Sequence, residues 1–185
     1  MKERPILFSG EMVQAILDGR KTQTRRVIKP QPGIAPGIGP VWKGSDYCKE
    51  WIRECPYGIH GDRLWVRETW ASFKGGVYYR AEGSNNARIE ETVGWRPSIF
   101  MPKIISRIWL EITDIRVERV QEISPQDVCR EGIRPTIPGG FEIDECDWIG
   151  AQQFKPLWDS INAKRGYGWD MNPWVWVISF RRIGE

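Results

Sequence analysis

The 185-residue chain has a single histidine, His60, and four cysteines, Cys48, Cys55, Cys129 and Cys146. One imidazole excludes a paired-histidine acid–base mechanism. The only zinc-like grouping, Cys48, Cys55 and His60, has the spacing C-x6-C-x4-H, which fits no common ligand pattern. No metal or other cofactor is therefore expected, and the cysteines read as buried free thiols. No apolar run approaches the roughly 20 residues that cross a bilayer. Glu3 and Pro5 precede only a short apolar patch, so the start does not read as a signal peptide. The charge balance, 27 basic against 24 acidic side chains, is +3 and too small to mark a nucleic-acid binder by itself. A chain 41% hydrophobic and 28% charged is expected to be soluble and cytoplasmic, and its length predicts one domain.

What is present is more telling. The chain has 11 Trp, several times the usual share, which implies a ring-rich core plus rings left at a binding surface. The segment from Arg20 to Lys29 gathers Arg20, Lys21, Arg25, Arg26 and Lys29 with no acid among them, whereas Glu142, Asp144, Glu145 and Asp147 lean the other way.

Ile6–Phe8 reads as a short strand. Ser9 is a candidate N-cap for a helix carrying Met12, Val13, Ile16 and Leu17 on one face, and Gly19 is placed to end it. Residues 30–40 are too rich in proline and glycine for helix or central strand, and the irregular stretch is expected to run to about Gly61 with a short helical turn at Trp51. Strands follow at Arg63–Arg67, Val77–Arg80 and Ser106–Val117, with a turn at Gly83–Asn86. Ser124-Pro125 with Asp127 opens a short helix that Gly132 closes. Phe154, Leu157, Trp158 and Ile161 define another helix, and Trp174–Ile183 alternates as a final strand. The expected class is α+β: a mixed, mainly antiparallel sheet curled or closed into a small barrel, with a few short flanking helices. Residues 1–185 read as one domain with irregular insertions at about 30–61 and 133–149.

Three constellations bear on chemistry. In a turn after the first helix, Lys21 and Thr24 would converge, whereas a strand would send them to opposite faces. A threonine hydroxyl needs a proton acceptor, and a lysine serves only if burial and neighbours such as Arg20, Arg25 and Arg26 lower its pKa. The alternative is a solvated basic loop. Glu111 lies mid-strand beside Trp109 and Thr113, facing either solvent or an aromatic-walled cavity. Arg63, Trp65, Arg67 and the nearby Trp70 suit base stacking and phosphate neutralisation, or arginine stems covering tryptophan rings within the fold. Gly37-Ile38-Gly39 lacks the context of a phosphate loop.

The run Gly19-Arg20-Lys21-Thr22-Gln23-Thr24-Arg25 resembles the G-x-K-T-x-T-x-R signature of the ASCH group of the PUA-like superfamily. Gly61-Asp62-Arg63-Leu64-Trp65-Val66 is similar to that group's G-D-x-L-x-V strand entry. Trp109-Leu110-Glu111-Ile112-Thr113 and the last strand also fit. The resemblance implies a small RNA-linked β-barrel, nearest to the longer ASCH proteins of phages and prophages. One branch of the group hydrolyses N4-acetylcytidine with a lysine, a threonine and a glutamate, roles that would fall on Lys21, Thr24 and Glu111. Substrate contacts would then come from Arg20, Arg25, Arg26, Arg63, Trp65, Arg67, Trp70 and Trp109. The expected partner is a nucleoside, nucleotide or RNA, and no membrane. The density of arginine after Thr24 favours a phosphorylated ligand. A non-catalytic nucleic-acid-binding module and a phage structural or assembly protein are the alternatives.

Overall fold

The computed structural model describes residues 1–35, 39–41, 54–82, 92, 94–134 and 151–184. In chain order these form β1 (Glu3–Leu7), α1 (Gly10–Leu17), β2 (Gln23–Val27), β3 (Gly33–Ala35), β4 (Gly39–Val41), β5 (Arg63–Arg67), β6 (Trp70–Phe73), β7 (Gly76–Tyr79), β8 (Trp109–Arg119), α2 (Pro125–Arg130), α3 (Ala151–Asn162) and β9 (Trp174–Ile183). Five strands make one sheet in the order β1-β5-β8-β9-β2. Within it β1 and β5 are parallel and the other pairs antiparallel. The class is α+β, with a mixed, mainly antiparallel sheet and few short helices, as the pattern of the sequence implies. The β3–β4 and β6–β7 pairs are separate ribbons.

The sheet is curled. Its end strands, β1 and β2, are four strand spacings apart, which in a flat sheet would be about 19 Å at about 4.8 Å each. Yet Arg26 on β2 donates from Nη2 to Leu7 O on β1 at 2.6 Å. Only a sheet rolled towards itself brings both ends within one side chain. The short α1 lies between them in sequence; Ser9 Oγ accepts from Met12 N at its start, and its buried residues are Val13, Ala15 and Ile16.

Burial divides into two clusters, and β9 serves both. Trp176, Ile178 and Phe180 join Ile6, Phe8, Leu64, Leu110 and Ile112 inside the curl. Val175 and Val177, alternating with them, pack on the opposite face against Val128, Phe154 and Trp158. The sheet is thus covered on both sides at β9, with α2 and α3 supplying the outer layer. A bulge at Thr113 allows this in β8: the register passes from Ile112↔Phe180 to Asp114↔Ser179. The extra residue shifts the alternation, so that buried Leu110 and Ile112 are followed by buried Ile115.

Two local expectations change. The turn after α1 ends at Thr22, and Gln23–Val27 form the edge strand β2, so Thr24 stands on a strand. Cys55 is a buried free thiol, which burial pushes up to about 11, but Cys129 is disulfide-bonded, unlike the free thiol expected. The Trp51 turn, the Gly83–Asn86 turn and residues 36–38, 42–53 and 135–149 of the two expected insertions lie outside the described residues, while the β3–β4 ribbon stands where an irregular stretch was expected. Among the described residues no helix is long and apolar enough to cross a membrane.

Gly132 is a local keystone. It holds φ +90°, and a Cβ there would lie 2.9 Å from Ala15 Cβ and 3.1 Å from Lys21 Cβ. Gly19 also has positive φ, +74°, but a Cβ there meets nothing within 4 Å. Gly19→Ala should therefore cost only the backbone strain, about 1–2 kcal/mol. Gly132→Ala adds a clash between side chains fixed on neighbouring elements and should cost about 3 kcal/mol. Urea midpoints of the two variants check the order; equal losses would refute the steric account.

Candidate functional site

Lys21 is fixed by backbone contacts to three elements. After α1 closes, Arg20 N and Lys21 N both donate to Ala15 O at 2.9 Å. Thr22 N donates to Arg130 O at the end of α2, and Thr22 O accepts from Phe180 N of β9, each at 2.9 Å. Lys21 thereby lies beside Glu131, the residue that follows α2, in an isolated antiparallel bridge. Its Nζ donates to Glu131 Oε2 at 2.7 Å and to Glu131 O at 2.8 Å. The two side chains are 0% and 3% exposed. Burial drives the Lys21 pKa below its ordinary value; the charge and hydrogen bond of Glu131 oppose that, and Arg26 and Arg25 add to the lowering.

The pair belongs to a larger charge network. Arg25 Nη1 faces Glu131 Oε1 at 3.4 Å and donates to Gln23 Oε1 at 2.7 Å. Its Nη2 reaches Asp127 Oδ2 at 2.9 Å and Glu118 Oε2 at 3.1 Å. Arg116 then bridges Asp127 and Glu118 from β8. Burial pushes the Asp127 carboxyl up, but the hydrogen bond and charge of Arg25, with help from Arg116 and Gln23, leave it below the usual carboxylate range.

A cavity of about 390 Å³ borders this network. Four consecutive residues of β2, Thr24 to Val27, line it, and they point alternately to opposite faces. All four can do so only if the free edge of β2 borders the cavity, where an edge strand has unpaired backbone groups to offer. Glu131 and Trp176 complete one side, while Trp158, Asn162 and Arg165 approach from α3 and the turn after it. Thr24 is 3% exposed. In register it lies opposite Ile178, on the face of β2 that points inside the curl.

The residues singled out from sequence separate into two places. Thr24, Arg25 and Arg26 line the cavity, and Lys21 meets it through Glu131. Glu111 does not join them. The flanking Leu110 and Ile112 face the core, so Glu111 lies on the outer face, where Arg181 Nη2 donates to its Oε2 at 2.9 Å. The expectation of a carboxylate inside a tryptophan-walled hollow at position 111 is corrected accordingly. Arg63 is the cross-strand neighbour of Glu111, and Trp65 that of Trp109. Arg67 covers Trp65 at 4.6 Å, Lys103 covers Trp109 at 5.4 Å, and Arg96 covers the buried Trp70 at 5.0 Å. Here the arginine stems cover rings of the fold itself. Arg20 pairs with Asp18 at 2.8 Å and donates to Gly132 O at 2.9 Å.

Sequence reasoning missed Glu131, whose only local signal is an acid next to the helix-ending Gly132. It also assigned no site role to Tyr57, Asn162 or Arg165.

No family model matches the chain, and no curated protein matches it. Among solved structures, a DUF984 protein from Enterococcus faecalis V583 superposes with a TM-score of 0.46 at 10% identity, covering 99% of this chain and 76% of its own. An ASCH domain from Lactobacillus crispatus JV V101 superposes with a TM-score of 0.43 at 11% identity, covering 98% and 79%. At TM-scores this low neither likeness decides fold or function, and the chemistry of the site rests on this chain's own residues.

The lowered Asp127 pKa has a signed consequence. Its ionised form is favoured in the folded state, so its contribution is complete above the unfolded value of about 3.9 and disappears as pH falls through the lower folded value. Asp127→Asn should therefore narrow its stability gap from the unsubstituted protein as pH drops from 5 to about 2. Thermal melts across that range test this; a constant gap would mean the carboxylate is not held by Arg25.

Proposed function

We propose that the cavity binds a nucleobase-bearing ligand and hydrolyses N4-acylated cytosine amides, with Thr24 as nucleophile, Lys21 as proton acceptor and Glu131 in the role the sequence suggested for Glu111. The observation that carries this reading is the fully buried Lys21 paired to Glu131, which lines the cavity together with Thr24. Removing two charges from water is costly and is poor evidence for a purely stabilising role. A buried lysine whose pKa is lowered, paired to a carboxylate that shares a cavity lining with a threonine, supplies the residue types that nucleophilic catalysis uses. The motif resemblance supplies the substrate class, and the free edge of β2 supplies backbone groups suited to a planar polar ring.

The protons balance as follows. As a neutral amine, Lys21 has two N–H bonds, matching its two contacts to Glu131, and one lone pair left over. That lone pair takes the Thr24 proton while Oγ1 bonds to the amide carbonyl carbon. The bond from that carbon to the cytosine N4 breaks, and the proton passes to N4. Water then cleaves the acyl-threonine by the same exchange, releasing the carboxylic acid. Glu131 holds the lysine in position and stabilises the ammonium formed between the two steps.

A binding module without chemistry is the second reading, because both Glu131 contacts also stabilise the resting ammonium. Loss of the shifted ultraviolet absorbance of N4-acetylcytidine separates the two. Turnover is expected, with Thr24→Ala slowing it at least about 100-fold and Thr24→Ser retaining part of it. Glu131→Gln should lower kcat and alter its pH profile. Turnover untouched in Thr24→Ala, or none in the unsubstituted protein, removes the catalytic assignment.

A further inference from the structure

Three cations line the cavity without a carboxylate to match them. Arg26 donates to a backbone carbonyl, Leu7 O, and its Nε is buried without a hydrogen-bond partner. Lys29 stands over the Tyr167 ring at 4.8 Å. Arg165 follows α3 in the turn Ala163–Arg165, which Gly166 closes at φ +82°. Among the described residues none of the three has an ion-pair partner. The carboxylates of the cavity do not balance them: Glu131 is engaged by Lys21 and Arg25, which leaves Glu54 against three positive charges.

Burial orders the site from inside outwards. Thr24 and Glu131 are buried, Arg26 is half-buried, and Lys29 and Arg165 are exposed. Chemistry at the inner end and unmatched positive charge at the outer end is the layout required by a ligand with a reactive base and an anionic tail. We propose that Arg26, Lys29 and Arg165 form a phosphate subsite at the outer end of this cavity, so that its ligand is a nucleotide unit and not a free nucleoside. This rests on the nucleobase reading of the cavity given above.

The electrostatics agree with that geometry. Burial holds Arg26 below its ordinary pKa, Tyr57 and Glu131 oppose this, and the charge of Arg165 adds to the lowering. Like charges gathered around one partly desolvated guanidinium favour an incoming anion. The supports are fixed in advance. The Arg26 guanidinium lies 5.2 Å from the Phe8 ring centroid and 5.9 Å from that of Tyr57. The turn bearing Arg165 is tied back to α3 where Trp158 Nε1 donates to Tyr167 O at 2.8 Å.

The test compares calorimetric binding of cytidine, cytidine 5′-monophosphate, inorganic phosphate and a short RNA oligonucleotide to the whole protein. Cytidine 5′-monophosphate should bind at least about tenfold tighter than cytidine, the size expected of a charge-assisted hydrogen bond. Lys29→Ala and Arg165→Ala change exposed side chains and should fold normally. Each should reduce the nucleotide-to-nucleoside ratio about three- to tenfold, and together they should reduce it further than either alone, leaving only what Arg26 supplies. Inorganic phosphate should compete with the nucleotide and not with cytidine. An oligonucleotide binding tighter than the monophosphate, with affinity falling steeply in salt, assigns the subsite to a backbone phosphodiester; equal or weaker binding assigns it to a monoester.

Equal affinity for cytidine and its monophosphate, or a preference undiminished by the double substitution, overturns the subsite. If N4-acetylcytidine is not hydrolysed but the preference holds, the subsite stands and the chemistry fails. Hydrolysis without preference gives the reverse. Binding of neither cytidine nor its monophosphate overturns the nucleobase reading and the subsite together.

Discussion

The contact between the Lys21 ammonium and the Glu131 carboxylate constrains the rest of the site. Both groups are removed from water, so each must be matched and hydrogen-bonded where it lies. Lys21 uses the Glu131 carboxylate and carbonyl, and Glu131 uses its second oxygen on Arg25. Arg25 is then tied to Asp127 and Glu118, and both to Arg116. With Arg130 on Asp127 and Asp114 on Arg116, four cations meet four carboxylates, so the chain of contacts is neutral while Lys21 is an ammonium. It also brings the end of α1, the end of α2, β2 and β8 to one place, which rigidifies the wall of the cavity from behind.

β2 divides two roles between its faces. Arg25 lies opposite Val177, on the side of the outer apolar cluster, and Thr24 and Arg26 lie opposite Ile178 and Trp176, inside the curl. Strand alternation thus assigns neighbouring arginines different tasks. Among the described residues β2 pairs with β9 alone, and its other side borders the cavity. A central strand would have had its backbone groups occupied by neighbours.

The legible parts of the fold were those where apolar residues mark one face. β5, β8, β9, α1, α2 and α3 all follow from alternation, helical spacing or caps. β2 was not legible, because Gln23-Thr24-Arg25-Arg26 carries no apolar alternation; its polar side chains are buried by a network formed from distant segments. For Glu111 the alternation left both senses open, and the role that the family resemblance implied put it on the wrong side. Leu110 and Ile112 fill the core, which sends the glutamate outwards to Arg181. Glu131 lies 110 residues from Lys21, so nothing local announces their pairing. The partner of the buried lysine was a tertiary fact, while Lys21 and Thr24 themselves were marked by a local run of residues.

The same distinction governs what the basic charge means. A net +3 is uninformative because it does not distinguish cations already matched inside the fold from those left for a ligand. Arg25 and Arg116 neutralise carboxylates inside the network, Arg107 neutralises Glu68, and Arg181 neutralises Glu111. Arg67 and Arg96 lie over tryptophan rings. Such residues shape the protein without creating a field for a ligand. The charge available to a ligand is the remainder after internal pairing, and in the cavity that remainder falls on Arg26, Lys29 and Arg165. Of the five basic residues between Arg20 and Lys29, three are engaged by carboxylates of the fold, and only Arg26 and Lys29 remain for something outside it.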